Sequence, residues 1–215
     1  MGNLLYKELR LSLHPTSYIF LALSLLMLVP NYPYYVTFFY MTLAVFFTCL
    51  SGRENQDLLY MALLPVRKRD IVSARMVSSC MLELALMVLC VPFAIIRQGM
   101  DLPGNQVGMD ANIALFGLSL MMLGLFNLMF FTRYYRNPDK VGRAFVLGST
   151  VMFAFMAAAE VLDHVLPVFT EQLDTPDPAF LVPKLVCLAL GALVYVALTL
   201  VAWRTSRGSL ERIDL

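Results

Sequence analysis

IVSARMVSSCMLELALMVLCVPFAII, Ile71–Ile96, decides the fold. Only two of its 26 residues, Arg75 and Glu83, carry charge. As an α-helix rising ~1.5 Å per residue it spans about 39 Å, more than the ~30 Å hydrocarbon layer of a bilayer. An isolated strand would leave backbone groups unpaired in lipid, and barrel strands alternate apolar with polar residues, which this run does not. It therefore reads as a membrane-spanning helix.

Five more apolar runs flank it: Thr16–Val29, which is short, Tyr34–Leu50, Ala111–Thr132, Ala144–Val165 and Val182–Trp203. NYPYY, Asn31–Tyr35, makes the turn between the first two. The whole chain of 215 residues is 60% hydrophobic and 14% charged, with mean hydropathy +0.72. Soluble domains hold about 45–50% apolar and ~25% charged residues. The fold class expected is an all-α integral membrane protein with six transmembrane helices. The net charge of +1 makes no case for nucleic acid as a partner.

The placement of the charges is more informative than their sum. Fourteen of the sixteen Lys and Arg residues fall in the N-terminus, the second-to-third connection, the fourth-to-fifth connection and the C-terminus. Only Arg97 and Lys184 fall on the other side, where Asp101, Asp110, Glu171, Asp174 and Asp177 lie. The positive-inside rule then puts both termini in the cytoplasm, as an even number of spans requires. Before the first span, NLLYKELRLSLH (residues 3–14) sets Leu5, Leu9 and Leu13 on one helical face and Lys7, Arg10 and His14 on another. That pattern fits an amphipathic helix in the interface, or an ordinary basic flank.

Several chemistries have no motif. The nearest approach to a phosphate loop, GRAFVLGST at Gly142–Thr150, lacks the lysine and the spacing. There is no G-x-S-x-G elbow and no H-E-x-x-H. Cys49, Cys80, Cys90 and Cys187 lie in apolar runs without C-x-x-C spacing, and His14 and His164 are far apart, so no metal site is expected. No cofactor is expected on this chain, and neither is an enzymatic activity of its own.

Charges inside spans carry more meaning. Arg75, Ser79 and Glu83 form a stripe at helical spacing, continued approximately by Cys90. A carboxylate at mid-membrane costs about 2.5–3.5 kcal/mol unless it faces protein or water, so the stripe should face inward. Glu83 has two readings, a residue on a translocation path or subunit contact, and a structural carboxylate bonded to a neighbouring helix. Glu160, Asp163 and His164 share a face at the outer end of the fifth span. They read as a solvated helix end or as an acidic gate. Ala154, Ala157, Ala158 and Ala159 just inside them allow a close helix crossing, including one with a second copy.

SGRENQDLLYMALLPVRKRDIVSARMV, Ser51–Val77, exceeds what a stop signal needs. Glu54 and Asp57 with Leu58, Leu59, Ala62, Leu63 and Leu64 make a short amphipathic helix ended by Pro65. Arg67, Lys68, Arg69 and Asp70 follow, and Asp70 is placed to cap the next helix. An apolar knob ringed by charge has the form of a docking element.

In this order of residues, and in Tyr6-Lys7-Glu8-Leu9-Arg10 near the N-terminus, the chain resembles the permeases of type-two (ABC-2-like) ABC exporters. In layout it is similar to small peptide or drug exporters such as the phenol-soluble-modulin systems. The resemblance implies one permease domain over residues 1–215. It consists of an interfacial helix at 3–14 carrying Lys7, Glu8 and Arg10, spans over 16–50, a cytoplasmic coupling segment at 51–70, spans over 71–203 and a tail at 204–215. It implies a bacterial inner-membrane location and a second permease copy or sister chain. Two copies of a cytoplasmic ABC ATPase would dock on the coupling helix and carry ATP and Mg. The substrate would be hydrophobic or amphipathic: a peptide, toxin or drug. The competing reading is the six-span substrate-binding subunit of a vitamin-uptake transporter.

Overall fold

A computed structural model describes residues 2–100, 104–167, 169–175 and 178–213. The expected loop acids Asp101 and Asp177 lie outside the described residues. Every regular element among the described residues is a helix. α1 (Gly2–Lys7) continues as a π turn (Glu8–Ser12), and α2 (Thr16–Ala22) continues as a 3-10 stretch (Leu23–Leu28). Then come α3 (Tyr35–Glu54), α4 (Asp57–Ala62), α5 (Lys68–Gln98), α6 (Ile113–Tyr134), α7 (Val141–Val165) and α8 (Leu181–Glu211).

α3, α5, α6, α7 and α8 are long and apolar enough to cross a membrane. Thr16–Leu28, α2 with its 3-10 stretch, makes a sixth candidate passage when taken together with Gly2–Ser12, from which it is bent by 85°. At its start the backbone N–H of His14 donates to Thr48 Oγ1. Beyond its end Asn31 Oδ1 accepts from Gln106 N and the Tyr32 carbonyl accepts from Asn105. The segment therefore runs from one end of the bundle to the other. The 3-10 winding explains how so few residues do so. A 3-10 helix rises ~2.0 Å per residue against ~1.5 Å for an α-helix, which brings the passage to roughly 22 Å. Val29 then continues in extended backbone, and Asn31 turns the chain with φ 53°.

The first helix and Ile213, the last described residue, lie at one end of the bundle. α1 meets α4 and α5 there, and Lys68 Nζ donates to the Ile213 carbonyl. This is the basic end; the opposite, acidic end holds the 104–112 and 169–175 loops. α8 runs about two turns beyond the expected stop at Trp203, and Arg207 stacks on the Trp203 ring at 4.4 Å.

α6 is the best buried of the spans, and its closest neighbour is α8. Glycine makes that approach possible. A Cβ on Gly117 would stand 2.6 Å from the Cys187 carbonyl oxygen, and one on Gly124 would stand 2.9 Å from Tyr195 Cα. A Cβ on Gly191 would overlap the Gly117 carbonyl. Small residues let backbones approach where lipid supplies no hydrophobic drive between helices. Asn112 starts α6 with its Oδ1 accepting from Leu115 N at 3.0 Å, the usual N-cap geometry.

Gly117→Ala should destabilise the detergent-solubilised protein by about 1–3 kcal/mol, because the helix backbones must separate. Gly208→Ala, with nothing within 4 Å of the new methyl, should leave the melting temperature unchanged.

Candidate functional site

The basic end is organised around one buried cation. Arg75, on the first turns of α5, is 1% exposed. Its Nε donates to Glu8 Oε2 at 2.9 Å and its Nη2 to Glu8 Oε1 at 3.2 Å, a fork on both oxygens. Nη2 also donates to Asp57 Oδ2, and Nη1 reaches the Tyr134 hydroxyl at 3.4 Å. Lys7 Nζ spans the two acids, with Asp57 Oδ1 at 2.5 Å and Glu8 Oε1 at 3.0 Å. Gly52 on α3 leaves room for the guanidinium, since a Cβ there would lie 2.8 Å from Nη1. Two cations and two carboxylates thus tie α1, α4, α5 and α6 together against α3. Burial alone pushes the Asp57 carboxyl up, but Arg75 and Lys7 outweigh it and hold it below the usual carboxylate range.

Asp57 is the first residue of α4, so the short helix is fastened by its N-terminus. Its faces divide sharply. Leu58 and Met61 turn into the core, Ala62 is half-buried, and Leu59 and Tyr60 are exposed; the helix ends at Ala62, short of Pro65, and Leu63 and Leu64 just past it are exposed too, Leu63 at 77%. Leu58 therefore does not belong to the outward knob in which the sequence pattern placed it, and Tyr60 does. The period of the helix allows either face. Lys7, through Asp57, selects the inward one together with Arg75. Glu54 is the last residue of α3 rather than part of α4, because Gln56 turns the chain in left-handed backbone (φ 52°, ψ 34°). α5 begins at Lys68, so Asp70 sits in its first turn instead of capping it, and its carboxylate accepts from Arg67 Nε at 2.9 Å. Acid in a first turn still favours the helix dipole. Arg69 pairs loosely with Glu211 at 3.8 Å, and Arg10 is exposed on the π turn.

Inside the spans the stripe is buried as expected: Ser79, Glu83 and Cys90 all face protein. Ser79 Oγ donates back to the Arg75 carbonyl. Glu83 is fully buried, and its Oε2 accepts from Asn127 Nδ2 at 2.9 Å and from the Tyr195 hydroxyl at 2.7 Å. Asn127 also reaches Thr199 Oγ1 at 3.3 Å. The cluster joins α5, α6 and α8. Asn127 and Tyr195 were not singled out by the sequence reading; the available signal was a lone amide at mid-span in α6.

At the acidic end Asp174 Oδ1 accepts from the backbone N–H of Asp110 at 2.7 Å and from Asn112 Nδ2 at 3.1 Å. Lys184 Nζ donates to the Thr175 carbonyl. A cavity of about 380 Å³ opens among Arg97, Gln98, Asn105, Asp110, Asn112 and Asp174. Glu160 and Asp163 lie at the outer end of α7 with His164, their ligand atoms within 4.8 Å of one another. Burial pushes the Asp174 carboxyl up to about 7; the Asp110 N–H opposes this and the Asp163, Asp110 and Glu160 charges add to it.

This layout is that of a multi-pass helical membrane protein. A family model described as ABC-2 family transporter protein matches residues 3–206, so the chain belongs to that family. No curated protein and no solved structure matches it. The family implies a membrane setting and a partner ABC ATPase.

Two outcomes are expected. Glu8→Ala and Arg75→Ala each leave an uncompensated buried charge or cut the network, and should each destabilise the protein by about 3–5 kcal/mol. The double variant should lose clearly less than their sum, measured by thermal unfolding in detergent. For Asp174 the folded pKa is raised, so the native state holds its proton more tightly than the unfolded chain. Stability should therefore fall as pH rises from about 4 towards 7. Asp174→Asn should flatten that slope in melting curves recorded with EDTA present.

Proposed function

We propose that the chain is the permease of an ATP-driven exporter, moved by a separate ATPase that docks on α4 at the basic end. The observation that carries this is the exposed apolar set of Leu59 and Tyr60 on α4 with Leu63 and Leu64 just past its end, on a helix whose first residue, Asp57, is tied to Arg75. Large apolar side chains exposed at the basic end, flanked in sequence by Arg53, Arg67, Lys68 and Arg69, fit the groove of a protein partner. The basic end faces the cytoplasm by the positive-inside rule, in the bacterial inner membrane.

The mechanism follows from the contacts. When the ATPase draws α4 along, Asp57 pulls on Arg75 at the foot of α5 and, through Lys7 and Glu8, on α1. Glu83 then passes the movement from α5 to α6 and α8 through Asn127 and Tyr195. ATP and Mg act on the partner. The exposed small-residue face of α7, Ala154, Ala157 and Ala158, suits a close crossing with a second permease copy or a sister chain. An apolar groove of about 630 Å³ between α5, α6 and α8, with Gln98 and Asn112 at its acidic end, suits a hydrophobic or amphipathic substrate such as a peptide, toxin or drug. ABC-2 membership favours this reading over a vitamin-uptake subunit.

The test is co-purification. The ABC ATPase recovered with the wild-type chain, identified by mass spectrometry, should fall roughly tenfold or more in Leu59→Glu/Leu63→Glu. Leu58→Met, a volume-conserving change on the inward face, should retain it. Equal recovery with the double variant would defeat the docking role of α4.

A further inference from the structure

The outer end of α7 carries a group that the coupling account does not use. Glu160, Asp163 and His164 stand at i, i+3 and i+4, and their ligand atoms lie within 4.8 Å of one another. Proximity of acids at a helix end is common and by itself means little. Three further observations separate this cluster from an ordinary solvated end.

The first is burial without partners. Asp163 is 7% exposed, and its Oδ1 has no hydrogen-bond partner among the described residues; Glu160 Oε2 is likewise buried and unpartnered. Two adjacent carboxylates with orphaned buried oxygens are unstable unless something positive lies between them. The second is the cover. The backbone at Gly108 is pressed against the Glu160 carboxylate so closely that a Cβ there would overlap it. The Thr170 hydroxyl donates to the Asp163 carbonyl at 2.5 Å, tying the 169–173 turn over the helix end. The loops thus close around the carboxylates. The third is the histidine tautomer. His164 Nδ1 lies 2.8 Å from the Glu160 carbonyl oxygen. A carbonyl only accepts, so Nδ1 donates, and in the neutral ring Nε2 is the nitrogen left to take a metal ion. A ring N–H held by a backbone carbonyl is the usual orienting partner of a metal-ligating histidine.

We propose that Glu160, Asp163 and His164 form a binding site for a divalent transition-metal ion at the outer end of α7. Two carboxylate oxygens and one imidazole nitrogen favour zinc-like ions over magnesium or calcium, which prefer all-oxygen sets. Metal–ligand bonds of ~2.0–2.2 Å require the three ligand atoms to close by up to about 1.5 Å, within reach of side-chain rotation, with water completing the shell. The ion neutralises the paired carboxylates and holds the Gly108 loop and the 169–173 turn on α7, so it acts as a clasp on the acidic mouth. The site does not depend on ATPase docking and stands or falls separately from it.

The test uses Co²⁺ as a probe on the full chain in detergent. Visible d–d absorption should appear at one equivalent, without the near-ultraviolet sulfur charge-transfer band that would mark binding by the free cysteines. Zn²⁺ should displace it, and tenfold more Mg²⁺ or Ca²⁺ should not. Affinity should fall roughly tenfold or more in His164→Gln, whose exposed side chain makes folding of the variant safe, and again in Asp163→Asn. Zn²⁺ should raise the melting temperature of wild type and not of His164→Gln. Absent d–d absorption, a sulfur band, or equal affinity in wild type and His164→Gln would overturn the proposal. A shared proton between Glu160 and Asp163 would then remain the account of the orphaned oxygens.

Discussion

The basic end of this protein depends on the burial of one arginine. A guanidinium at 1% exposure cannot persist alone, because the solvation lost exceeds several kcal/mol. Glu8, from the first turns of the chain, and Asp57, from the short helix after the second full span, both converge on it. The entry of α1 and the seating of α4 are therefore one electrostatic solution, with Lys7 closing the ring. A segment that reads in sequence as two separate loops is physically a single joint.

The same logic recurs inside the membrane with neutral partners. Glu83 is covered by α6 and α8, and its accepted hydrogen bonds from Asn127 and Tyr195 require those helices to be close. Gly117, Gly124 and Gly191 supply the closeness. Polar node and glycine seam are complementary: one gives α5, α6 and α8 a fixed register, the other lets the backbones reach it. Between the joint at Arg75 and the node at Glu83 lie only two turns of α5, so a displacement of α4 has a short path into the bundle.

Most of the span pattern was legible in the sequence, since long apolar runs have few physical alternatives in lipid. The turn at NYPYY and the inward stripe from Arg75 to Cys90 follow from spacing alone. What was not legible depends on pairing across the chain. Charge counting places Arg75 in the basic set but cannot name Glu8 as its partner, 67 residues away. Leu58 and Leu59 look equivalent on a two-turn helix until Asp57 is fastened. The 3-10 winding of Leu23–Leu28 has no residue signature; it follows from the distance a short passage must cover. The α6–α8 seam rests on glycines spaced seven apart on one helix and a single glycine on the other, whereas the alanines of α7 stood out, and of these Ala154, Ala157 and Ala158 stay outward while Ala159 is buried.

The central claim is that α1 and α4 are held as one unit by Arg75. Hydrogen–deuterium exchange on wild type and Arg75→Ala in detergent tests it most directly. The account predicts that amides of residues 2–12 and 57–62 speed up together, roughly tenfold or more, while those of 117–124 in the α6–α8 seam keep their protection. Faster exchange in α4 with α1 unchanged, or no change in either, would contradict it.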